Sequence, residues 1–509
     1  MGDGVSSAPS ASQRVAGQAH WSILAKIATL VGTLGVSVVC ARKLGKDEYG
    51  VLSLAKNMVT FGVMAASLGL DRALLRFVPE LEHRRAGAGL RRLFAWVIGV
   101  QAAALAIASA LLLLLAPIWR SLFMPGIVPL LPLICVVTAA FTLKETIYQL
   151  HFALARAKVL TIATTITGAG WLVLTVWWLA RGASSEAALL AQAASLVAAV
   201  VYLLPSLRNA LRSVPAQSDE VVSTRRVGIY AANGVGSSLV NLIVQRQSEV
   251  YFLAAVAPPA VVGFYDLGYS LPQLGLELLP LSLYAVVLSA ITSSYQRDPS
   301  RLGVLTGWFY KLLALVTVPF ALLGAVWADR LLVLLYGAPM EPAGQIARVF
   351  SVLHLLPFVS LPVGVALNVV EKAHRTLALG ILQVGVNLGL DLLLIPRYQV
   401  KGAIAAVALS FLLVTPVTIW YALRLTGPLE FPWRWMGRLA LALSPGLLPG
   451  LARPWLGAGW GGTISGIAAS AFLMGLGFRY GRLLGTEELY RLREVSFPGK
   501  RFVVRFLEP

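Results

Sequence analysis

Runs of about twenty apolar residues recur through almost all of this 509-residue chain, and that property leaves little choice of fold. A run of this length crosses the ~30 Å hydrocarbon core as one helix. Within lipid only helices and closed barrels satisfy their own backbone, and these runs are continuous where barrel strands alternate. With 58% of residues hydrophobic and 13% charged, no soluble core is large enough to hide the apolar surface. The chain is therefore expected to be all-α and polytopic, with about 14 transmembrane helices near 18–41, 48–78, 90–116, 127–151, 160–180, 186–207, 226–256, 261–294, 303–328, 343–369, 376–396, 402–424, 435–452 and 459–480.

The net charge of +19 raises the question of nucleic acid, and the placement of the charge answers it. If the first helix leaves the cytoplasm, one set of connections carries Arg84, Arg85, Arg91, Arg92, Arg156, Lys158, Arg208, Arg212, Arg225, Arg226, Arg297, Arg301, Lys372 and Arg375. The opposite set carries far fewer, among them Arg42, Lys43, Lys46, Arg120 and Arg181. This is the positive-inside asymmetry. It places both termini in the cytoplasm and leaves no single basic patch for a nucleic acid partner.

A second constraint is an internal repeat. Gly50, Leu54, Gly62, Leu70 and Leu75 fall 213 residues before Gly263, Leu267, Gly275, Leu283 and Leu288, as do Leu122 before Leu335 and Pro129 before Pro342. A register three residues longer pairs Arg156 with Lys372, Ala157 with Ala373, Ala187 with Ala403, and Leu207-Arg208 with Leu423-Arg424. Two six-helix repeats plus two C-terminal helices account for the chain, and an even helix number gives both repeats one orientation. The expected divisions are a disordered cytoplasmic tail 1–17, an N-lobe 18–212 with helices 1–6, a cytoplasmic linker 213–225, a C-lobe 226–425 with helices 7–12, helices 13–14 at 426–482, and a basic cytoplasmic tail 483–509. Seven tryptophans near span ends, Trp119, Trp177, Trp178, Trp327, Trp433, Trp435 and Trp455, read as interfacial anchors. Gly385-xxx-Gly389 and Gly446-xxx-Gly450 permit close helix contact. Pro272 and Pro280 are expected to bend the eighth helix.

No P-loop, HExxH or GxSxG occurs, the five histidines are scattered, and Cys40 and Cys135 lie in apolar runs. No catalytic residue, metal or cofactor is assigned, and the chain is not expected to be an enzyme. The informative residues are ionisable groups inside spans, each costing about 2.5–3.5 kcal/mol at a bilayer centre. They concentrate in the helix pairs that open each repeat: Lys26, Lys56, Arg72 and Arg76 in the first, Arg246, Glu249, Asp266 and Glu277 in the second. These eight are the candidates for lining a water-filled, substrate-binding cavity. The bland alternatives are that Arg246 and Glu249 neutralise each other at i, i+3 and that Arg72 and Arg76 snorkel to headgroups. Further buried charges are Asp71, Lys144, Glu145, Lys311, Arg348 and Asp391.

At CARKLGKDEYGVLSLAKNMVTFGVMAASLGLDRALLRFVPEL, residues 40 to 81, the chain resembles the polysaccharide transporter family of Wzx-like oligosaccharide flippases, within the superfamily that also holds the MATE antiporters and lipid II flippases. The segments 334–349 and 368–406 resemble that family's tenth to twelfth helices. The resemblance implies two MATE-like lobes around a cationic cavity that opens alternately to each side. It implies a bacterial cytoplasmic (inner) membrane protein that carries undecaprenyl-pyrophosphate-linked oligosaccharide to the outer leaflet for O-antigen, capsule or exopolysaccharide biosynthesis. Lys26, Lys56 and Arg246 would then meet phosphates or acidic sugars. Besides the lipid-linked glycan and membrane lipid, the partners it admits are a coupling ion, H+ or Na+, and glycan polymerase machinery. A lipid II flippase, a MATE-type cation or drug antiporter and, in a different class, a membrane glycan polymerase or ligase stay open beside it.

Overall fold

Every regular element among the described residues is helical, as the apolar runs require. The computed structural model describes residues 11–218, 221–242, 248–370, 373–481 and 483, with the side chains of all these except 11–20, 22, 23, 233, 235–242, 277–286, 289, 373 and 374. The helices are α1 Ala11–Ser67, α2 Leu70–His83, α3 Gly87–Leu114, α4 Ala116–Leu122, α5 Leu131–Ala153, α6 Ala157–Leu179, α7 Ser185–Ser213, α8 Thr224–Leu242, α9 Ser248–Val256 and α10 Pro259–Arg297. They continue as α11 Leu302–Tyr336, α12 Glu341–Leu353, α13 Leu356–Val369, α14 Ala373–Thr426, α15 Trp433–Leu443, α16 Leu448–Leu451 and α17 Trp460–Tyr480. Nine segments among the described residues are long and apolar enough to cross a membrane. The chain is a multi-pass helical membrane protein.

Nine segments carry more than nine crossings because two of them turn back on themselves. In α1 the backbone leaves helical geometry only at Gly45 (φ 76°, ψ 178°), a left-handed position that glycine adopts without cost. The Ser37 and Tyr49 hydroxyls, twelve positions apart, lie 2.9 Å from each other. A straight helix would hold them about 18 Å apart, so the chain has reversed. In α14 the corner is Gln399 (φ 46°, ψ −123°), and Gln383 Nε2 donates to Ser410 Oγ at 3.0 Å across it. Elsewhere expected crossings are split. The second breaks at Leu68 and Gly69, both at positive φ, so that α2 is its detached end. The tenth breaks between α12 and α13, where Pro357 opens α13. The expected bend at Pro272 and Pro280 falls within α10, which runs from Pro259 to Arg297 as one element.

The chain divides into two compact units, Met1–Gly263 and Phe264–Pro509. The linker at 213–225 thus lies inside the first unit, and α8 and α9 belong to it as well. The core of this unit is built from α2, α3, α5 and α7, with Leu74, Phe77, Leu81, Leu90, Val97, Ile147, Leu150 and Leu203 fully or almost fully buried. The repeat-paired glycines Gly50 and Gly263 touch: a Cβ on Gly50 would stand 1.8 Å from the Pro259 carbonyl oxygen, and one on Gly263 3.2 Å from the Gly50 Cα. Only a residue without a Cβ permits that approach.

In the second unit α15 and α17 pack on α11. A Cβ on Gly446 or Gly450 would collide with Met474 or Val326, the close approach their spacing permits, while among the described residues one on Gly385 or Gly389 would meet nothing within 4 Å. Two of the seven expected anchors are core residues. Trp327 is buried with its indole N–H 3.0 Å from Ser470 Oγ, and Trp435 is buried with its N–H on the Leu483 carbonyl. Both indoles find a polar partner inside the protein, and so need no water. Trp433 and Trp455 are exposed.

Candidate functional site

The eight sequence candidates occupy different environments. Lys26 is exposed on the first arm of α1, and Lys56 is half-buried on its returning arm, within electrostatic reach of the Cys40 thiol. Arg72 and Arg76 are exposed on α2. Glu249 on α9 is fully buried, and Asp266 on α10, in the second unit, almost so. Arg246 and the Glu277 side chain lie outside the described residues.

Of these, Arg76 belongs to a built cluster. The helix α2 starts at the Leu68–Gly69 break and is strongly two-sided: Leu70, Ala73, Leu74, Phe77, Val78 and Leu81 are buried, the i, i+3, i+4 stripe of a helix with one core face. Its other face carries Arg72, Arg76 and Glu80. Glu80, whose side chain is only 12% exposed, sits among three guanidiniums that are each about half exposed. Arg226 of α8 donates to both its oxygens, at 3.0 and 3.3 Å, Arg76 lies at 3.2 Å and Arg84 at 3.3 Å. The Arg226 hydrogen bonds, aided by the charges of Arg76 and Arg84, hold the Glu80 carboxyl below the ordinary value of 4.5. The buried Phe77 ring lies 5.8 Å from the Arg76 guanidinium and 5.1 Å from that of Arg226, close enough for a cation–π contact. Phe77 is itself held edge-on by Tyr230 of α8, ring centroids 5.7 Å apart.

Beside this hub the segment 214–218 is fastened to the α2–α3 turn. Ala86 and Ala216 form an antiparallel bridge, Gly87 N–H donates to the Pro215 carbonyl at 3.0 Å, Gln217 N–H to that of Arg85 at 2.9 Å, and the Arg85 guanidinium to Gln217 Oε1 at 2.9 Å.

A second polar group in the same unit surrounds the helix break. Gln101 of α3 donates to the Ser67 carbonyl at 3.5 Å and accepts from Thr146 at 2.7 Å, so that part of the backbone freed by the break finds a side-chain partner inside the protein. Next to it Lys144 contacts Glu145 at 3.2 Å and lies 4.9 Å from the Tyr148 ring centroid. Asp71 is within electrostatic reach of Glu145.

In the second unit one carboxylate again gathers arginines. Asp329, at the end of α11, receives Arg453 Nη2 at 2.5 Å and stands 3.9 Å from Arg348. Here the guanidiniums are also spent on carbonyls: Arg453 on Val326 at 2.7 Å, Arg348 on Ala325 at 2.8 Å, Arg330 on Arg453 and Leu456. Separately, Asn387 donates to the buried Asp391 at 3.0 Å. Among the described residues no three His, Cys, Asp or Glu gather as a metal site.

Sequence reasoning did not single out Glu80, Arg84 or Arg226 as site residues. Half of the signal was present: Arg76, Glu80 and Arg84 stand four apart, the spacing at which helical neighbours pair. Arg226 is 146 positions from Glu80 and carries no such sign. What the hub offers chemically is a preorganised set of forked donors suited to an anion with several oxygens.

A family model described as "Polysaccharide biosynthesis protein" matches residues 39–343, more than half of the chain. No curated protein matches. Among solved structures, the chain is similar to the lipid II flippase MurJ in an inward closed conformation, with TM-score 0.69 and 12% identity over 90% of this chain and 97% of that one. It is also similar to an inward-facing multidrug resistance MATE family transporter of the MOP superfamily, with TM-score 0.66 and 14% identity over 78% of this chain and 94% of that one. A MOP superfamily transporter from Pyrococcus furiosus, titled for the reverse polarity of its binding pocket, gives TM-score 0.53 and 13% identity over 81% of this chain and 95% of that one. At these identities the likeness is one of fold.

Proposed function

The chain belongs to the polysaccharide biosynthesis protein family, and on that premise we propose that it is a flippase that moves undecaprenyl-pyrophosphate-linked oligosaccharide from the inner to the outer leaflet of the bacterial cytoplasmic membrane. The observation that carries the reading is the pairing of a polysaccharide-synthesis family with the fold of MOP transporters. A multiply charged pyrophosphate with attached sugars faces a crossing cost well above that of a single charge. A carrier lowers that cost by offering buried cations and hydrogen-bonding groups along the way, while the polyprenyl tail stays in lipid. Alternating access then exposes one site to each leaflet in turn. Lys26, Lys56, Arg72, Arg76 and Arg246 are the proposed phosphate and acidic-sugar contacts. Glu249, Asp266 and Glu277 would set the cavity's charge and are candidates for H+ or Na+ coupling. The product would feed O-antigen, capsule or exopolysaccharide synthesis, with a glycan polymerase as the next machinery. The lipid II flippase reading shares the fold and the polyprenyl-pyrophosphate chemistry and differs in the group attached to the pyrophosphate.

Purified protein in proteoliposomes, supplied with a labelled polyprenyl-pyrophosphate oligosaccharide on one side, tests this. Wild type is expected to move the label at least tenfold faster than empty vesicles, and Lys56→Ala and Arg246→Ala to slow it by about tenfold, near the ~1.4 kcal/mol of one lost charged contact. Transport no faster than in empty vesicles would sink the reading. Normal transport in both variants would remove only those two residues from the site.

A further inference from the structure

We propose that the break at Leu68–Gly69 is a sodium-ion site, built from Asp71 Oδ1, the Thr142 hydroxyl and the carbonyl end of α1. Both side-chain oxygens are buried, and neither has a hydrogen-bond partner. For Thr142, 2% exposed on α5, this is a departure from the pattern of its neighbours. A helical threonine commonly returns its hydroxyl to the carbonyl of the preceding turn, as Thr146 does to Thr142 at 2.9 Å and as Thr161, Thr165 and Thr167 do on α6. The Thr142 hydroxyl forgoes that bond although it is out of reach of bulk water. Buried polar atoms of this kind are few in native proteins, and an ion or a water is what commonly satisfies them.

Packing brings these oxygens to one place. Gly62 of α1 faces α5, where a Cβ would stand 2.9 Å from Thr138 Cγ2. Further along both segments Asp71 is within electrostatic reach of Glu145, so the two run in one direction. One turn beyond Gly62 and Thr138, the fully buried Ala66 is therefore level with Thr142, and Ser67 and the break follow at once. Gln101 of α3 ties the same spot, its amide at 3.5 Å from the Ser67 carbonyl and its Oε1 at 2.7 Å from the Thr146 hydroxyl. One carboxylate with neutral hydroxyl and carbonyl oxygens is an all-oxygen set of single charge, suited to a hard monovalent cation and without the nitrogen or sulfur donors of zinc and copper. The end of α1 adds the negative partial charge of a helix C-terminus, and broken transmembrane helices offer such ends to Na+. The second acid nearby is already engaged: Glu145 Oε2 lies 3.2 Å from Lys144, and Oε1 accepts from Gln149 at 2.8 Å. Asp71 thus supplies the charge of the site, and Arg72 beside it is exposed. An ion held there ties the end of α1 to α2 and α5, so its arrival and departure would set the angle at the break.

The inference rests on the flippase reading only for the ion's part in coupling; the binding site stands without it. Full-length protein in nanodiscs is melted in NaCl and in choline chloride at one total ionic strength. NaCl is expected to raise the melting temperature by about 3 °C or more, as a ligand that binds only the folded state does. Thr142→Val, which keeps the shape and removes the oxygen, should fold normally in choline chloride. It should need at least about tenfold more NaCl for half of the effect, since even groups behind a metal's ligands weaken binding by that much. Asp71→Asn should abolish the response, and Thr165→Val, whose hydroxyl is bonded to Thr161 on α6, should leave it unchanged. A threonine with a structural role alone would move the melting temperature equally in both salts. The proposal is overturned if wild type melts alike in the two salts, or if Thr142→Val keeps the full sodium response. It is also overturned by a response to acid alone that Asp71→Asn removes, which would make Asp71 a proton site. If Asp71→Asn does not fold, Thr142→Val decides alone. Translocation of labelled lipid is measured separately: protein that sodium stabilises but that moves no lipid counts against the flippase reading and keeps the site, and protein that moves lipid without any sodium response does the reverse.

Discussion

Glu80 and Asp329 each sit among arginines, one in each unit, and the two clusters set the same residue types in different surroundings. Around Asp329 the arginines also bond the backbone: Arg453, Arg348 and Arg330 each donate to a carbonyl, and Arg453 is only 18% exposed beside an Asp329 at 13%. Arg330 and Arg453 also stand 6.0 and 5.7 Å from the Trp327 ring. This is a clasp that fixes the segment 453–456 to α11 and α12. Around Glu80 the guanidiniums are each about half exposed, and two of them lie over one aromatic ring. The lesson is that the number of charges says little, and that burial and bonds to backbone carbonyls decide how firmly an arginine cluster clasps a structure.

The contrast can be broken most directly by deleting each acid. Asp329→Ala leaves Arg453 largely buried without its carboxylate and is expected to cost about 3 kcal/mol, read as a marked drop in thermal unfolding temperature in detergent. Glu80→Ala is expected to cost less than about 1 kcal/mol, because the guanidiniums it leaves behind are each half exposed and open to solvent. Equal losses would show the two clusters to be the same kind of object.

Next in size is Trp327→Phe, which keeps most of the apolar surface but removes the N–H bonded to Ser470. About 1–1.5 kcal/mol is expected from the hydrogen bond and its stranded partner. A pH series then sharpens the comparison. The Glu80 carboxyl is held below its ordinary value of 4.5 in the folded protein. Its contribution is therefore present above that value and is lost as pH falls through the lower folded one. Stability measured from pH 6 downward should fall more steeply in wild type than in Glu80→Gln below about pH 4.5, and identical slopes would contradict this. Smallest is salt: raising NaCl from 0.1 to ~1 M shortens the screening length from about 10 to 3 Å and should erase the stability difference between wild type and Arg226→Gln. The deficit of Arg453→Gln should persist.

The membrane class and most helices were legible because apolar runs of helix length admit one solution in lipid. Gly45 and Gln399 were less so. Each corner is made by one residue, and a corner that short leaves no polar stretch to read. The break at Leu68–Gly69 was hidden for a related reason, since the residues on both sides continue the apolar pattern while a side chain on another helix, Gln101, takes up one of the carbonyls. Burial of Trp327 and Trp435 was not legible either, because the acceptors they use, Ser470 and the Leu483 carbonyl, lie 143 and 48 positions away. For the site, the i, i+4 spacing exposed Arg76, Glu80 and Arg84 as neighbours, but nothing local named the fourth member.

The bridge between Ala86 and Ala216 has a mechanical consequence. With Gln217 and Ser218 both bonded to the Arg85 carbonyl, the stretch from Ser218 to the start of α8 at Thr224 is six residue steps. At no more than ~3.6 Å per step that is a leash of about 20 Å. The connection therefore keeps the first turn of α8 within that distance of the α2–α3 turn.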